Sequence, residues 1–403
     1  MQQAKYETRF TSKAYFLHGL NKIKFRRILN HVTGLKLDGT STMRTPYLAA
    51  IVITVISISV IAVIYSSPPP KPTTPIEITS NQHSHNDSPK ASSPSTQASQ
   101  ISSYSVSSDQ PIFAIPNEAD IDVNLAKIGW ALFKDPNLSS NKQISCETCH
   151  SLHSNGAENI PVSIGVNGAG MRNSLTVFNA IFNYRFFWDG RVNNLSDQID
   201  GPVHNVLEMD SNWDLITNYV SQSNHYTNLF KKFDLPITTH SIKSSLIEFM
   251  HGLTTPNSPF DQYLQGDSAA LSDSALRGWE TFQKEGCIRC HQGTNIGGGM
   301  VMRFGYFGIG KTGSERSDDL GRYMFTSSPQ DKHLFRVASL RNVAITAPYF
   351  HDGRTDTLEE AIKIMGESQL GKTFKRETIN DIKAFLESLT GDRPQMLLEF
   401  ENE

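Results

Sequence analysis

The sequence predicts a mainly α-helical protein built as two similar halves, with one membrane-crossing helix and an unfolded tether ahead of them. Three observations carry this. A 19-residue uncharged run, Tyr47–Tyr65, follows a basic N-terminal arm. A Ser/Pro-rich stretch, residues 66–110, comes next. Beyond it, two short motifs each occur twice, in the same order.

The arm, residues 1–46, holds nine Lys or Arg against two acidic residues. As a helix, Tyr47–Tyr65 would measure about 28 Å at ~1.5 Å per residue, close to the hydrocarbon thickness of a bilayer. Tyrosines at both ends suit the two interfaces, and the basic flank puts the N-terminus in the cytoplasm and everything after the run outside. A cleaved signal peptide is the competing reading. The run is long for one, and no Ala-x-Ala site follows. Within the arm, residues 16–32 read either as a basic amphipathic helix on the inner leaflet or as a solvated tail.

Residues 66–110 contain 14 Ser and 7 Pro. Such a segment cannot bury enough apolar surface to offset its ordering entropy, so it reads as a flexible tether. His83 and His85 lie within it and read as solvated. The 403 residues carry a formal net charge of −3, which gives no case for a nucleic-acid partner.

From Pro111 the composition is globular. Ile128-Gly-Trp-Ala-Leu-Phe133 is echoed by Arg277-Gly-Trp-Glu-Thr-Phe282, and Phe187-Trp-Asp-Gly-Arg191 by Phe350-His-Asp-Gly-Arg354. Leu195 and Leu358 follow at equal offsets. Two copies in one order indicate an internal duplication with a module of about 140 residues. The halves divide as residues 111–265 and 266–403. Ser272 or Asp273 caps a helix running through Phe282 to a stop at Gly286. Thr357–Met365 reads as a helix with Leu358, Ala361, Ile362 and Met365 on one face. Thr378–Leu389 reads as amphipathic, Gly297–Gly299 as a loop, and no sustained period-2 alternation predicts a long strand.

The four cysteines fall in two identical patterns, Cys146-Glu-Thr-Cys149-His150 and Cys287-Ile-Arg-Cys290-His291, so none remains for a structural disulfide. Each pattern reads as a c-type haem attachment site. Cysteines three apart share one face of a helical turn, so both sulfurs reach the vinyl groups of one porphyrin. The adjacent histidine then meets the iron. One copy alone would also fit half of a zinc site. Two copies inside a repeat, beyond a membrane anchor, point to two covalently bound haem c groups. The second axial position decides the chemistry. A thioether raises the potential, and an open position suits peroxide.

Residues 111–403 resemble the bacterial di-haem cytochrome c peroxidase family. The resemblance rests on Pro161-Val-Ser-Ile-Gly165, Arg172-Asn-Ser-Leu-Thr-Val-Phe-Asn179, Phe187-Trp-Asp-Gly-Arg191, Gly201-Pro202, Glu208-Met209, Ser339-Leu-Arg-Asn342, Ala347-Pro-Tyr-Phe-His-Asp-Gly353 and Met365-Gly366 with Gln369-Leu-Gly371. It implies two cytochrome-c-like haem domains, the N-terminal one peroxidatic and the C-terminal one for electron transfer. Position by position, it implies that Met365 completes the second haem opposite His291. Trp188 lies between the haems and couples them. Glu208 is the distal acid at the peroxide haem, with the Gln198 amide beside it. Asn173 and the backbone carbonyls of Thr346 and Pro348 bind one Ca²⁺, a hard cation suited to oxygen ligands. His351 arranges the second haem's surroundings without ligating iron. His153, His204, His225, His240, His251 and His333 have no motif support and read as exposed or structural.

One departure stands out. Many family members carry a histidine just after the Ser-Ile-Gly element. Here Val166-Asn-Gly168 follows, so His150 is expected to have no protein partner across its haem.

The implied function is reduction of hydrogen peroxide to water, with electrons passed from the C-terminal to the N-terminal haem. The donor is open between a cytochrome c, a cupredoxin and membrane quinol. The implied setting is the bacterial inner membrane, single-pass, with the haem domains in the periplasm and a homodimer common in the family. Two rival readings are a di-haem oxidase that modifies a protein, and a pure electron carrier or redox sensor. Met365 argues against the first, Glu208 and Gln198 against the second.

Overall fold

Asp122 starts the first helix. Its carboxylate accepts the N–H groups of Asn124 and Leu125 at 2.9 and 3.1 Å, satisfying donors that a helix N-terminus leaves open. The computed structural model describes residues 111–308 and 319–402, which belong to one compact unit. The basic arm, the apolar run Tyr47–Tyr65 and the tether lie outside the described residues. Among the described residues, no helix is long and apolar enough to cross a membrane.

The described chain is mainly helical. Its first half runs α1 (Val123–Lys134), α2 (Cys146–Cys149), α3 (Leu195–His204), α4 (Trp213–Gln222), α5 (Asn224–Lys232) and α6 (Thr239–His251). Then come α7 (Pro259–Leu264), α8 (Asp273–Glu285), α9 (Tyr323–Thr326), α10 (Leu358–Leu370), α11 (Arg376–Glu387) and α12 (Gln395–Glu401). Strands are short. β1 (Ile164–Gly165) pairs with β2 (Gly168–Ala169), and β3 (Val301–Arg303) with β4 (Leu334–Arg336), both antiparallel.

Each half is organised by one helix pair, α1 on α6 and α8 on α11. Both pairs need a bare backbone at the crossing. A Cβ on Gly129 would stand 1.9 Å from the Ser245 carbonyl oxygen, and one on Gly278 would stand 1.9 Å from that of Asp381. Glycine inside a helix costs about 1 kcal/mol relative to alanine. Here close packing outweighs that cost. Around α1 and α6, Ile128, Leu132, Ile242, Leu246 and Phe249 form the first core. Around α8 and α11, Phe282, Ile382, Phe385 and Leu386 form the second, where Phe385 meets Phe260, Trp279 and Phe282 at 5.0, 5.3 and 5.1 Å.

Core membership does not follow chain order. Ile112 and Phe260 lie in the second core, while Met396, Leu397 and Phe400 of α12 lie in the first. The two ends are therefore exchanged between the cores.

The two halves also meet in matching turns. Asn179 and Asn342 both adopt φ 61°, in the left-handed region that asparagine tolerates. Their amides donate to one buried hydroxyl, Thr255 Oγ1, at 2.7 and 2.9 Å.

Helix ends differ from the sequence reading in two places. α8 keeps its expected cap at Ser272 and its stop at Gly286. α10 runs past Met365 to Leu370. α11 starts and stops two residues before the expected Thr378–Leu389, because Ile379, Ile382, Phe385 and Leu386 mark the packed face and not the polar first turn at Arg376 and Glu377.

Candidate haem centres

The first attachment turn is set by a capping box. The Ser145 hydroxyl accepts the Thr148 N–H at 3.3 Å, and the Thr148 hydroxyl accepts the Ser145 N–H at 3.0 Å. This holds Cys146 and Cys149 on one turn, both as free, half-buried thiols. Burial pushes the Cys146 thiol up to about 12 and that of Cys149 up to about 11. His150 follows, and burial pulls it down to about 4. Backbone groups of Gly156 and Leu175 stand close to its ring, yet its buried Nδ1 has no hydrogen-bond partner of good geometry.

The second turn, Cys287–Arg289 after a left-handed Gly286, has no side-chain cap but repeats the burial. Burial pushes the Cys287 thiol up to about 11 and pulls His291 down to about 4. Backbone groups of Ile296 and Ala338 lie near the His291 ring, and its buried Nδ1 is again unpartnered. Buried polar atoms are almost always satisfied in folded proteins. Two free thiols on one turn beside a buried, unsatisfied imidazole fit a covalently held haem. The thiols would take its vinyl groups and the imidazole its iron.

Glu208 lies beyond α3, close enough to the first turn for its charge to raise the Cys149 thiol. Asn205 Nδ2 donates to its Oε1 at 2.6 Å. Burial raises the carboxyl, while Asn205 and the Arg191 charge act the other way. The β1–β2 hairpin lies on this segment. Val166 N–H donates to the Glu208 carbonyl at 2.9 Å. Asn167 Nδ2 donates to the Val206 carbonyl at 2.7 Å and to Asp210 Oδ2 at 3.1 Å. A Cβ on Gly165 would stand 2.1 Å from the Leu207 carbonyl oxygen, so the hairpin sits against backbone. Gln198 is on α3, half-buried, next to the buried Ile199.

Between the halves, Trp188 and His351 pack edge to face, ring centres 6.3 Å apart at 70°. His351 is buried and stacks on Phe335 at 4.1 Å. The Trp188 indole N–H donates to the Asn173 carbonyl at 2.8 Å. Two backbone bonds then cross between the halves: Asn173 N–H to the His351 carbonyl at 2.8 Å, and Arg336 N–H to the Trp188 carbonyl at 2.6 Å. Asn173, Trp188, Thr346 and Pro348 line one cavity of about 80 Å³. The three residues read as calcium ligands therefore face one space. Among the described residues, no cluster of three or more His, Cys, Asp or Glu is arranged for a metal.

Met365 is half-buried on α10. Its expected neighbours Leu358, Ala361 and Ile362 are buried in the second core, but Met365 is not part of that core. The remaining histidines agree with the reading of their sequence. His204, His225 and His240 are exposed, and the His153 side chain is 73% exposed.

The sequence reading missed several residues here. Arg172 pairs with Asp189 and Asp319, each at 2.8 Å, tying the two halves together. Asn205 sits three residues before Glu208, a spacing that a search for local amide–carboxylate pairs would have found. Nothing local marks Thr255 or Arg336.

A profile described as di-haem cytochrome c peroxidase matches residues 124–269. The cytochrome c551 peroxidase of Pseudomonas aeruginosa is 40% identical over 275 residues, 67% of this chain and 80% of that protein. The chain belongs to the di-haem cytochrome c peroxidase family. The cytochrome c551 peroxidase of Nitrosomonas europaea is 39% identical over 293 residues, covering 72% of this chain and 86% of that protein. The crystal structure of a MauG-like protein associated with microbial copper homeostasis superposes with a TM-score of 0.60 at 25% identity, over 72% of this chain and 95% of that one. Membership brings with it two haem c groups.

Proposed function

We propose that this di-haem cytochrome c peroxidase reduces hydrogen peroxide to water outside the cytoplasm, taking electrons in through its C-terminal half and using them in its N-terminal half. The observation that carries this is Glu208. It is a carboxylate beside the first attachment turn, raised by burial and oriented by Asn205. When bound, the haems supply the redox chemistry: the one at His291 exchanges electrons with the donor, and the one at His150 holds peroxide.

The protein's part is proton handling and positioning. Asn205 fixes Oε1 of Glu208, and the carboxylate takes a proton from the inner peroxide oxygen and returns it to the outer one, which leaves as water. General acid–base help of this kind is worth roughly 10²–10⁴-fold. Gln198 orients the same substrate. The β1–β2 hairpin offers no imidazole, so it would bring no ligand to compete with peroxide at the first haem. Met365 would supply a thioether to the second haem, a role that its position outside the second core supports. Trp188 couples the halves electronically, held by Asn173 and packed on His351. Asn173, Thr346 and Pro348 hold one Ca²⁺ in the shared cavity, and His351 shapes the second haem's surroundings.

The halves are duplicated cytochrome-c-like domains, residues 111–265 and 266–403. The matched Gly129 and Gly278 crossings, the matched Asn179 and Asn342 turns and the reciprocal backbone bonds support this. Tyr47–Tyr65 anchors the chain in the bacterial inner membrane. The tether then reaches the periplasm, where a cytochrome c, a cupredoxin or quinol is the donor and a homodimer is the working form.

Steady-state peroxide consumption with each class of reduced donor tests the reading. Turnover with at least one is expected, and none with any would end it. A reporter active only in the cytoplasm, fused after Glu403, should be silent.

A further inference from the structure

Arg336 is buried without a carboxylate. It ends β4, is 4% exposed, and burial alone pulls its guanidinium down to about 10, so it remains protonated at neutral pH. Its side-chain contacts are neutral. Nη1 donates to Asn183 Oδ1 at 3.2 Å and to Ser339 Oγ at 3.4 Å. The buried Nε has no partner among the described residues. Arg341, five residues on and as deeply buried, shows the contrast, because Asp261 meets it at 2.6 Å. An isolated cation in a low-dielectric interior is strongly disfavoured unless an anion accompanies it.

The surroundings say where that anion belongs. Arg336 lines the cavity between the halves, and no Asp or Glu is among the described residues lining it. Ala338, two residues on, also lines the cavity, and its backbone stands against the His291 ring. Arg336 is thus carried beside the second attachment turn. A haem bears two propionate carboxylates, planar acceptors that match the guanidinium fork.

We propose that Arg336 is the counter-ion of a propionate on the haem attached at Cys287 and Cys290. This rests on the reading of that motif as a haem site. The corresponding station in the first half is Asn173, whose N–H likewise crosses to the opposite half. Asn173 has no cationic side chain, and Arg336 lies two residues from the backbone against the His291 ring, so its guanidinium acts on the second haem more than on the first. A positive charge held at a propionate favours the reduced haem. Arg336 is therefore a positioning and potential-setting residue, not one that touches substrate.

The test is a spectroelectrochemical titration of the two-haem protein, with the two midpoints resolved, for wild type, R336Q, R336K and R336M. R336Q and R336M should lower the second haem's midpoint, R336K should lower it by a smaller step, and the first haem should move least. R336M should also lower the thermal midpoint. If the arginine had no counter-ion, a neutral side chain of similar length would raise it. An unchanged second midpoint in R336Q with both haems attached overturns the proposal. So does a shift confined to the first haem, or a wild-type midpoint that follows added inorganic phosphate, which would mark a free anion as the occupant. Should R336Q lose haem, R336K decides by the same titration, no movement of the second midpoint counting against the proposal. Haem content of the wild type, read by mass, tests the attachment reading separately.

Discussion

The backbone N–H of Val166 donates to the carbonyl of Glu208 at 2.9 Å. This bond joins the hairpin that lacks a histidine to the residue proposed above as the proton-handling acid. Asn167 adds two more bonds to the same segment, so the hairpin is held by protein and needs no iron ligand to keep its place. The oxidised protein should therefore hold its first haem five-coordinate or water-bound and high-spin. It should bind cyanide quickly and react with peroxide without prior reduction. Electron paramagnetic resonance of the oxidised form checks this. A wholly low-spin spectrum, with cyanide binding that speeds up only after half-reduction, would point to a replacement ligand.

Glu208→Gln keeps the size and removes the titrating group. Turnover should drop roughly 10²-fold or more, on the scale of lost general acid–base catalysis. The pH profile adds a second check. Burial raises the Glu208 carboxyl, so protonation sets in at higher pH than for an ordinary carboxylate. Proton uptake from peroxide needs the ionised form. Wild-type kcat should thus fall as pH drops through that raised value, and E208Q should lose this acid limb. Near-normal turnover in E208Q at saturating donor would assign the proton to another group.

Met365→His should lower the second haem's potential, because imidazole stabilises ferric iron better than a thioether does. Peroxide binding in the first half should survive. A redox titration superimposable on wild type would remove Met365 from the axial position.

Thr255→Ala deletes the acceptor shared by Asn179 and Asn342. Thr255 is 3% exposed, so both amides would be left buried and unpaired there. Each such loss costs about 1–3 kcal/mol. Urea unfolding should show that loss, and T255S should recover most of it. Equal stability of T255A and wild type would mean that water replaces the hydroxyl.

Much of the molecule was legible in the sequence because its chemistry is local. The attachment turns need only five residues in a row, and Ser272 and Gly286 bracket α8 by short-range capping. What stayed hidden is non-local. Thr255 reads as an ordinary polar residue until the fold delivers two asparagines, 76 and 87 residues away, to its hydroxyl. Arg336 drew no reading from the sequence, since nothing nearby in it says that its strand is covered. Apolar periodicity located the packed face of α11 but not its ends, because terminal turns are polar.

The exchanged ends bear on how the chain is assembled. Phe400 packs on Trp130 at 5.6 Å between ring centres, and Ile112 sits in the core built around Phe385. Neither hydrophobic cluster can close on a nascent chain until segments far apart in sequence have both been made. Contacts of such long sequence separation form slowly, since loop closure must precede them. The Cys146 turn is thus made about 250 residues before α12, whose Met396, Leu397 and Phe400 complete the core of its half.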